Sequence, residues 1–232
     1  MTVIRQASES IAVMYTRRRA LALGAIGIGA LSGCSSTTEL AGSGPIERSA
    51  ASAILPQSVV SGTEYELSTQ RERTVERTVS AAGQERTISA TNQVALYQKA
   101  IDNLAQGSLF GVVSTPGFTI AGQTLNPVAG MSNSELIDVV GEQFNGLSGA
   151  SEVSTLTKTM FGTDTTVSKF DATANFGGRE FDIYIYTGSV VHQRNEQGQS
   201  DVVIGAGGYP QAFDETEADT IEGFFGDIEH PA

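Results

Sequence analysis

Alternating apolar and polar positions run through much of the chain after residue 60 and predict β-strands. Residues 179–191 show the pattern best, because Phe181, Ile183 and Ile185 alternate with aspartate and tyrosine positions. A period of two gives one apolar face and one half-polar face, as in a sheet that is covered on one side. The other predicted strands are residues 64–68, 72–81, 85–97, 109–114, 153–161, 165–176 and 201–206.

Glycine and proline mark the predicted turns. Residues 82–83 and 177–178 contain the glycines that tight hairpins favour, and the polar run 195–198 joins the last two strands. The Thr-Pro-Gly run at 115–117 predicts a turn, and the glycine-rich run 205–210 predicts a bend towards the C-terminal helix. A phosphate-binding nest at 205–210 is the alternative, although no lysine follows and the spacing of nucleotide-binding motifs is absent.

Two segments have helical periodicity. Residues 132–144 begin with Ser132 and Glu135, the spacing of a capping box, and then place apolar side chains on one side. Residues 214–228 carry four apolar side chains at the i, i+3, i+4 and i+7 positions of an amphipathic helix, beginning with Ile221. Both helices are therefore expected to pack against the sheet.

These elements together predict an α+β fold. Strands grouped along the chain, with one helix among them and one at the end, favour a curved antiparallel sheet of about seven strands with two helices packed on one face. The order of elements is similar to that of the PsbP-like α/β sandwich. This similarity concerns topology and implies no activity.

The N-terminal segment has the order of parts that is typical of a lipoprotein export signal. Arg17, Arg18 and Arg19 precede an apolar run at 20–30, which is about half the roughly 20 residues that a membrane-spanning helix requires. The run leads directly into a motif that resembles a lipobox, formed by Leu31, Ser32, Gly33 and Cys34. The arginines also resemble a twin-arginine signal, although its usual aromatic residue is missing and a plain charged segment is the alternative.

The export signal sets the expected domain organisation. We expect a signal peptide at residues 1–33, a lipidated Cys34 with a flexible tether over 34–58, and a single α+β globular domain at 59–232. The cysteine sulfur would accept the lipid and hold the protein at the outer face of the cytoplasmic membrane. Because the chain has one cysteine, a disulfide within it is impossible.

The charge composition is strongly acidic. The chain has 14 Lys plus Arg against 26 Asp plus Glu, and removal of Arg5, Arg17–Arg19 and Glu9 leaves 10 against 25, a net charge of −15. This balance argues against a nucleic-acid or anionic-lipid binding face. Lysine occurs only three times, and acidic, lysine-poor composition resembles haloarchaeal proteins, with an ordinary acidic bacterial lipoprotein as the alternative.

The candidate residues for catalysis are few. The two histidines are His192, in a predicted hairpin, and His230, which we expect to fray at the C-terminus. A small extracytoplasmic hydrolase would have to use His192 with a nearby carboxylate, whereas a histidine beside a loop is more often a surface residue. We therefore expect no catalytic residue and no cofactor.

Two charged groups remain as candidate binding sites. The acidic residues that follow Asp214 could hold a hard cation, although helix capping, the helix dipole and surface hydration already explain them, so we expect no metal site. Arg71, Arg73 and Arg77 share a strand face and are candidates for contact with an envelope protein partner. A ladder of ion pairs with neighbouring glutamates is the alternative.

The C-terminal third carries a family resemblance. The run from Asp201 to Gly205, Tyr209-Pro210 and the final Glu229-His230-Pro231, together with the lipobox and the acidic bias, resembles a family of haloarchaeal lipoproteins without assigned activity. The resemblance implies an envelope protein and implies no catalytic residues. The sequence favours a lipid-anchored binding or structural module, with the His192 hydrolase as the alternative.

Overall fold

A computed structural model describes residues 45–231 apart from 82–83, 102–103, 118, 121–122, 125, 142–146, 177–178 and 195–198. The strands are β1 (Ile46–Ser49), β2 (Glu66–Ala81), β3 (Gln84–Ile101), β4 (Leu104–Gly117), β5 (Thr119–Ile120), β6 (Gln123–Thr124), β7 (Leu147–Met160), β8 (Thr163–Phe176), β9 (Arg179–Gln193) and β10 (Ser200–Pro210). The helices are α1 (Gln57–Val60), α2 (Asn133–Gly141) and α3 (Asp214–Asp227), and a 3₁₀ turn (Gln211–Phe213) precedes α3.

The long strands form one open, curved sheet that is antiparallel except at β1. Among the described residues the order is β2-β3-β4-β10-β9-β8-β7, which confirms the predicted α+β fold. Strand β3 pairs with β2 along nearly its whole length. Its other edge therefore carries two partners in succession, β1 in parallel opposite Ile88 to Thr91 and β4 from Gln93 onwards. The β2–β3 hairpin thus extends beyond the end of β4. Strand β1 pairs with β3 in this extended part.

Most predicted strands are present but extend further than predicted. The turn expected at 115–117 is wrong, because Thr115, Pro116 and Gly117 continue β4 and pair with β10. Proline has no N–H to donate, and it is tolerated here because the pairing of β3 with β4 stops at Ser114. The bend expected within 205–210 is also wrong, since β10 pairs with β9 as far as Pro210.

The main core lies between α3 and one face of the sheet, which we call the α3 face. Phe224 and Phe225 of α3 pack edge to face on Phe110 of β4, with ring centroids 5.1 and 5.3 Å apart. Tyr186 of β9 is completely buried in the same core. The face of β9 that looks half-polar in the sequence is therefore the main buried face.

The second helix packs on the opposite face of the sheet, which we call the α2 face. Ile137 of α2 clusters with Phe170 and Ala172 of β8 and with Ile185 of β9. Because Ile185 is adjacent to Tyr186 in one strand, their side chains point to opposite faces. The expectation that both helices cover one face is therefore wrong: alternation along a strand identifies two faces, and both are covered here.

The predicted capping box at the start of α2 is present. Glu135 Oε2 accepts hydrogen bonds from the Ser132 backbone N–H at 2.9 Å and from the Ser132 hydroxyl at 3.0 Å. In return, the Glu135 N–H donates to Ser132 Oγ at 3.3 Å. This reciprocal pairing satisfies backbone donors that the first helical turn leaves without partners, and it fixes the start of α2.

The folded region begins earlier than the boundary predicted at residue 59. Strand β1 pairs with β3, and Ala53 and Leu55 are buried in the main core. The backbone N–H of Leu55 also donates to the Tyr97 hydroxyl at 2.8 Å. Serine, alanine and glycine gave this segment the composition of a tether, but small residues also allow a chain to lie close to a sheet.

Candidate functional site

The chemically richest group of side chains lies on the α3 face where the C-terminus returns to the sheet. We call it the histidine cluster: His192 of β9, Asp201 of β10, Ser114 of β4, Arg194 and His230. His230 Nε2 lies 3.0 Å from Asp201 Oδ2 and 3.3 Å from Ser114 Oγ. His230 Nδ1 lies 2.8 Å from His192 Nδ1. Arg194 Nη2 lies 3.2 Å from Asp201 Oδ1.

The position of His230 corrects the expectation of a frayed C-terminus. The side chains of His230 and Asp201 are 0% exposed. Backbone hydrogen bonds of 2.7 and 2.9 Å between Glu229 and Ile54 hold the chain in place just before the histidine. Asp201 Oδ2 also accepts the Ala51 N–H at 2.8 Å. One buried carboxylate therefore joins the N-terminal segment, the sheet and the C-terminus.

The hydrogen-bond network defines the tautomers of the two imidazoles. Ionised Asp201 can only accept, so His230 Nε2 carries the proton between them. Nδ1 of a neutral His230 is then an acceptor, and His192 Nδ1 donates to it. A proton added to His192 goes to its Nε2 and leaves this bond intact, whereas a further proton on His230 Nδ1 would set two N–H groups against each other at 2.8 Å.

His192 is also enclosed by the turn between β7 and β8. The Phe161 ring stacks on the His192 ring with centroids 4.6 Å apart and planes 28° apart. Phe161 has a φ of 50° and Gly162 a φ of 75°, as a two-residue turn with a left-handed backbone requires. Phenylalanine is unfavourable in this conformation, and its packing on the imidazole offsets the strain. Burial, followed by the electrostatic effect of His230, lowers the pKa of His192.

The cluster does not have the geometry of a hydrolytic triad. In such triads the serine and the carboxylate contact opposite nitrogens of one imidazole. Here Ser114 and Asp201 both contact Nε2 of His230. Ser114 is also 0% exposed, so a substrate cannot reach its hydroxyl. Asp201 therefore pairs with His230, in a network that holds the C-terminus against the sheet.

Two clefts lie away from the histidine cluster. One of about 340 Å³ follows residues 57–67. The other, of about 580 Å³, lies on the α2 face between the start of α2 and strands β7 to β9. Serine and threonine side chains form much of its lining, including Ser132, Thr155, Thr166 and Ser189. His192 lines neither cleft, so neither of them can be the substrate pocket of a hydrolase that uses His192.

Three of the acidic residues of α3 pair with lysines. Each of the chain's three lysines binds one α3 carboxylate. The N–O distances are 2.6 Å for Lys99–Glu217, 3.5 Å for Lys158–Glu222 and 2.8 Å for Lys169–Asp214. Within the described ranges, no group of three or more His, Cys, Asp or Glu side chains is arranged to hold a metal ion.

The Lys99 pair is the most deeply enclosed of the three. Glu217 is 1% exposed and also accepts a hydrogen bond from the Tyr65 hydroxyl at 2.8 Å. Burial alone would lower the pKa of Lys99, but its bonds to Glu217 and Glu64 together raise it. For the Tyr65 hydroxyl, burial raises the pKa, because it disfavours the charged phenolate. Both groups therefore hold their protons, and Glu217 is balanced by one cation and one hydroxyl.

Lys169 packs between aromatic rings and Asp214. Its Nζ lies 3.8 Å from the centroid of the Tyr184 ring, and Asp214 Oδ1 also accepts a hydrogen bond from the Tyr209 hydroxyl at 2.8 Å. Tyr209 in turn bonds the Tyr186 hydroxyl at 3.0 Å. Tyr184, Tyr186 and Tyr209 therefore connect the sheet to α3.

The three candidate contact arginines lie together on the α2 face of β2. Arg71, Arg73 and Arg77 are paired with Val94, Asn92 and Ile88 of β3, alternate residues that share one face. Arg77 is exposed, and the other two are half-buried. Glu72 and Glu76 alternate with them and therefore lie on the α3 face, so the expected ladder of ion pairs with these glutamates is wrong.

The export-signal residues lie outside the described part of the chain. These are Arg17, Arg18, Leu31, Ser32, Gly33 and Cys34. Their predicted roles stay predictions. Within the described ranges, the helices are too short or too polar to cross a bilayer.

Sequence comparison assigns the domain to a family. A search of curated proteins gives no match. The model of the family "Domain of unknown function (DUF6517)" matches residues 52–229, which include all the long strands, the three helices and most of the histidine cluster. This match spans more than half of the 232 residues. The chain therefore belongs to the DUF6517 family.

Proposed function

We propose that this chain is an exported lipoprotein of a salt-adapted archaeon. Its folded domain is held at the outer face of the cytoplasmic membrane by a lipid on Cys34 and acts as a binding or structural module of the envelope. The observation that carries the proposal is the Leu31-Ser32-Gly33-Cys34 motif directly after a short apolar run with arginines before it. Small residues before the cysteine give a processing enzyme access to the backbone.

The distance between Cys34 and the fold supports this arrangement. Eleven residues lie between Cys34 and Ile46, where β1 begins. At roughly 3.5 Å per residue, an extended chain of this length spans about 40 Å. The domain would therefore stand close to the bilayer surface, and a lipid on the sulfur would be its membrane attachment.

The histidine cluster supports a role other than catalysis. His192 Nδ1 bonds His230, His230 Nε2 contacts Asp201 and Ser114, and Ser114 is fully buried. Replacement of His192 is therefore expected to leave the protein's envelope role intact. The acidic, lysine-poor composition supports the salt-adapted origin, since carboxylates keep a protein surface hydrated at high salt.

The anchor is tested by replacing the cysteine. Wild-type protein expressed in a haloarchaeal host is expected in the membrane fraction, released by detergent and retained in molar salt. The Cys34→Ala variant is expected to lose detergent-dependent retention, whereas the neighbouring Ser35→Ala variant should behave as wild type. Equal retention of the Cys34→Ala and wild-type proteins would contradict the proposal.

A further inference from the structure

The cleft on the α2 face is lined mainly by hydroxyl groups. This is the cleft of about 580 Å³ between the start of α2 and strands β7 to β9, which we call the α2-face cleft. Serine and threonine supply eight of its fourteen lining residues. Its volume lies within the range of roughly 300–1,000 Å³ that small-molecule sites occupy, although such sites are usually apolar. A lining of this kind favours a ligand that is itself rich in hydroxyl groups.

The register of the sheet places several of these hydroxyls on one face. Thr166 and Ser168 of β8 alternate with Phe170, which packs against α2, so all three side chains point to the α2 face. Thr155 of β7 is directly opposite Ser168 and shares its face. Ser189 lines the same cleft from β9. Because neighbouring strands are about 4.8 Å apart, the hydroxyls form a grid with that spacing across three strands.

The inner part of the cleft is hydrogen-bonded, whereas its outer hydroxyls are available to a ligand. Ser168 is buried, and its Oγ accepts a hydrogen bond from Asn133 Nδ2 at 2.9 Å. Asn133 Nδ2 also donates to the Thr166 carbonyl at 3.0 Å, which fixes the start of α2 against the sheet as one wall. Among the described residues, the side-chain hydroxyls of Thr155, Thr166 and Ser189 have no hydrogen-bond partner. The grid is therefore held in place before a ligand binds.

The charge of the lining disfavours an anion. Glu152 and Asp164 contribute exposed carboxylates, and no lysine, arginine or histidine is among the described residues that line the cleft. A phosphate or carboxylate ligand would meet like charge there without a cation to offset it. A bare metal ion is also unsupported, because the described part of the chain has no group of three or more suitable side chains. The lining therefore favours a neutral ligand whose hydroxyls donate to the carboxylates.

Part of the wall is apolar. Met131 and Val191 both line the cleft, and Val191 is 50% exposed, which is unusual for a large apolar side chain in this fold. A pyranose ring presents hydroxyls around its edge and C–H groups on its faces. Hydroxyls on alternate ring carbons are also separated by about the distance between neighbouring strands. The grid and the apolar patch therefore match the two kinds of surface that a sugar presents.

We propose that the α2-face cleft binds a short neutral saccharide. Thr155, Thr166 and Ser189 exchange hydrogen bonds with its hydroxyls, Glu152 accepts from adjacent hydroxyls, and Val191 contacts a ring face. This inference rests on the proposed role as a binding module, to which it adds a ligand class. Because hydrogen bonds to a neutral ligand act at contact distance, the affinity is expected to persist in molar salt, where a Debye length of about 3 Å screens attraction over longer distances.

The test titrates the full chain, purified with its lipid in detergent at molar salt, with neutral trisaccharides of glucose, mannose, galactose and N-acetylglucosamine. Ligand-observed NMR measures the dissociation constants. At least one trisaccharide is expected to bind with a Kd of about 1 mM or tighter. Its sulfated counterpart is expected to bind at least about tenfold more weakly, because the sulfates meet the two carboxylates.

Hydroxyl variants locate the binding in the cleft. The T155V/T166V variant keeps β-branched side chains at two exposed positions and should weaken binding at least about tenfold, since each hydrogen bond contributes roughly three- to tenfold. Ser154→Ala is the matched control and should bind as wild type, because Ser154 is exposed and adjacent to Thr155 but lies opposite Lys169, on the α3 face. Circular dichroism identifies a variant that fails to fold, in which case Glu152→Gln, with an expected loss of about fivefold, decides.

The outcomes separate this inference from the anchor. Lack of binding to every neutral trisaccharide at up to about 10 mM would overturn it, as would equal affinity of the wild-type and T155V/T166V proteins. Tighter binding of a peptide rich in serine and threonine than of any trisaccharide would also overturn it and assign the cleft to a protein segment. The Cys34→Ala variant is expected to bind with wild-type affinity. Either the cleft or the anchor can therefore fail its test while the other stands.

Discussion

At the scale of single residues, Asp201 has the largest structural role in the candidate site. Its carboxylate contacts the Ala51 N–H, His230 and Arg194 while it is completely buried. A buried charge is tolerated when donors surround it, and these donors come from three distant parts of the chain. Sequence analysis identified His192 but could not identify this group, because Asp201 and His230 meet only after α3 returns the chain to β10.

The histidine pair predicts a loss of stability at mildly acidic pH. Because the pKa of His192 is lowered in the fold, the unfolded chain binds a proton more readily. The stabilisation is complete above the unfolded pKa of about 6.5 and declines as the pH falls from there through the lower folded pKa. Thermal unfolding between pH 8 and pH 5 should show this decline, and His192→Gln should make it shallower. An identical pH profile in the variant would contradict the assignment.

The buried Lys99–Glu217 pair predicts a large effect of a single substitution. Lys99→Met leaves Glu217 as a buried carboxylate without a cation and should reduce the free energy of unfolding by about 3–5 kcal/mol. Adding Glu217→Gln should recover part of the loss. Lys158→Met is the matched control, because Lys158 and Glu222 are 27% and 28% exposed and should contribute under about 1 kcal/mol. Denaturant titrations in high salt measure these values, and equal losses for both lysine variants would refute the distinction.

At the scale of elements, the packing of α3 on β10 depends on glycines without side chains. A Cβ at Gly205 would lie 2.8 Å from the Phe225 ring, and one at Gly207 would lie 2.7 Å from the Phe110 ring. These glycines suggested a bend or an anion nest in the sequence. They instead allow α3 to approach β10 closely.

This packing predicts opposite effects for two glycine substitutions. Gly207→Ala should destabilise the protein by about 1–3 kcal/mol, because the added methyl group has no space between Phe110 and Ile221. Gly223→Ala in α3 meets no atom within 4 Å and should stabilise by about 0.5–1 kcal/mol. Melting temperatures measured side by side test the pair, and a stable Gly207→Ala protein would show that α3 packs less closely than described.

The elements show which parts of a fold the sequence can predict. The hairpins and α3 were predicted because their periodicity and turn residues are local properties. The assignment of faces failed at Tyr186, because a tyrosine position is compatible both with a wet surface and with a core that supplies a hydroxyl partner. The predicted ends of β4 and β10 were wrong at Pro116 and Pro210. A proline is tolerated in a strand where one neighbouring strand is absent, and that absence depends on the tertiary structure and not on the local sequence.

At the scale of the whole molecule, the charge distribution predicts dependence on salt. With 26 acidic residues against 14 basic ones, mutual repulsion destabilises the folded chain when it is not screened. We expect circular dichroism to show loss of structure as salt is lowered from molar to millimolar concentrations. An unchanged spectrum across this range would count against a salt-adapted protein.

The anchor at Cys34 is the central claim of the proposed function, because the proposed location at the membrane depends on it. Mass spectrometry of the mature protein isolated from membranes tests this claim most directly. We predict that the chain begins at Cys34 and that this residue carries the mass of a lipid on its sulfur. An intact leader joined to an unmodified Cys34 thiol would contradict the account.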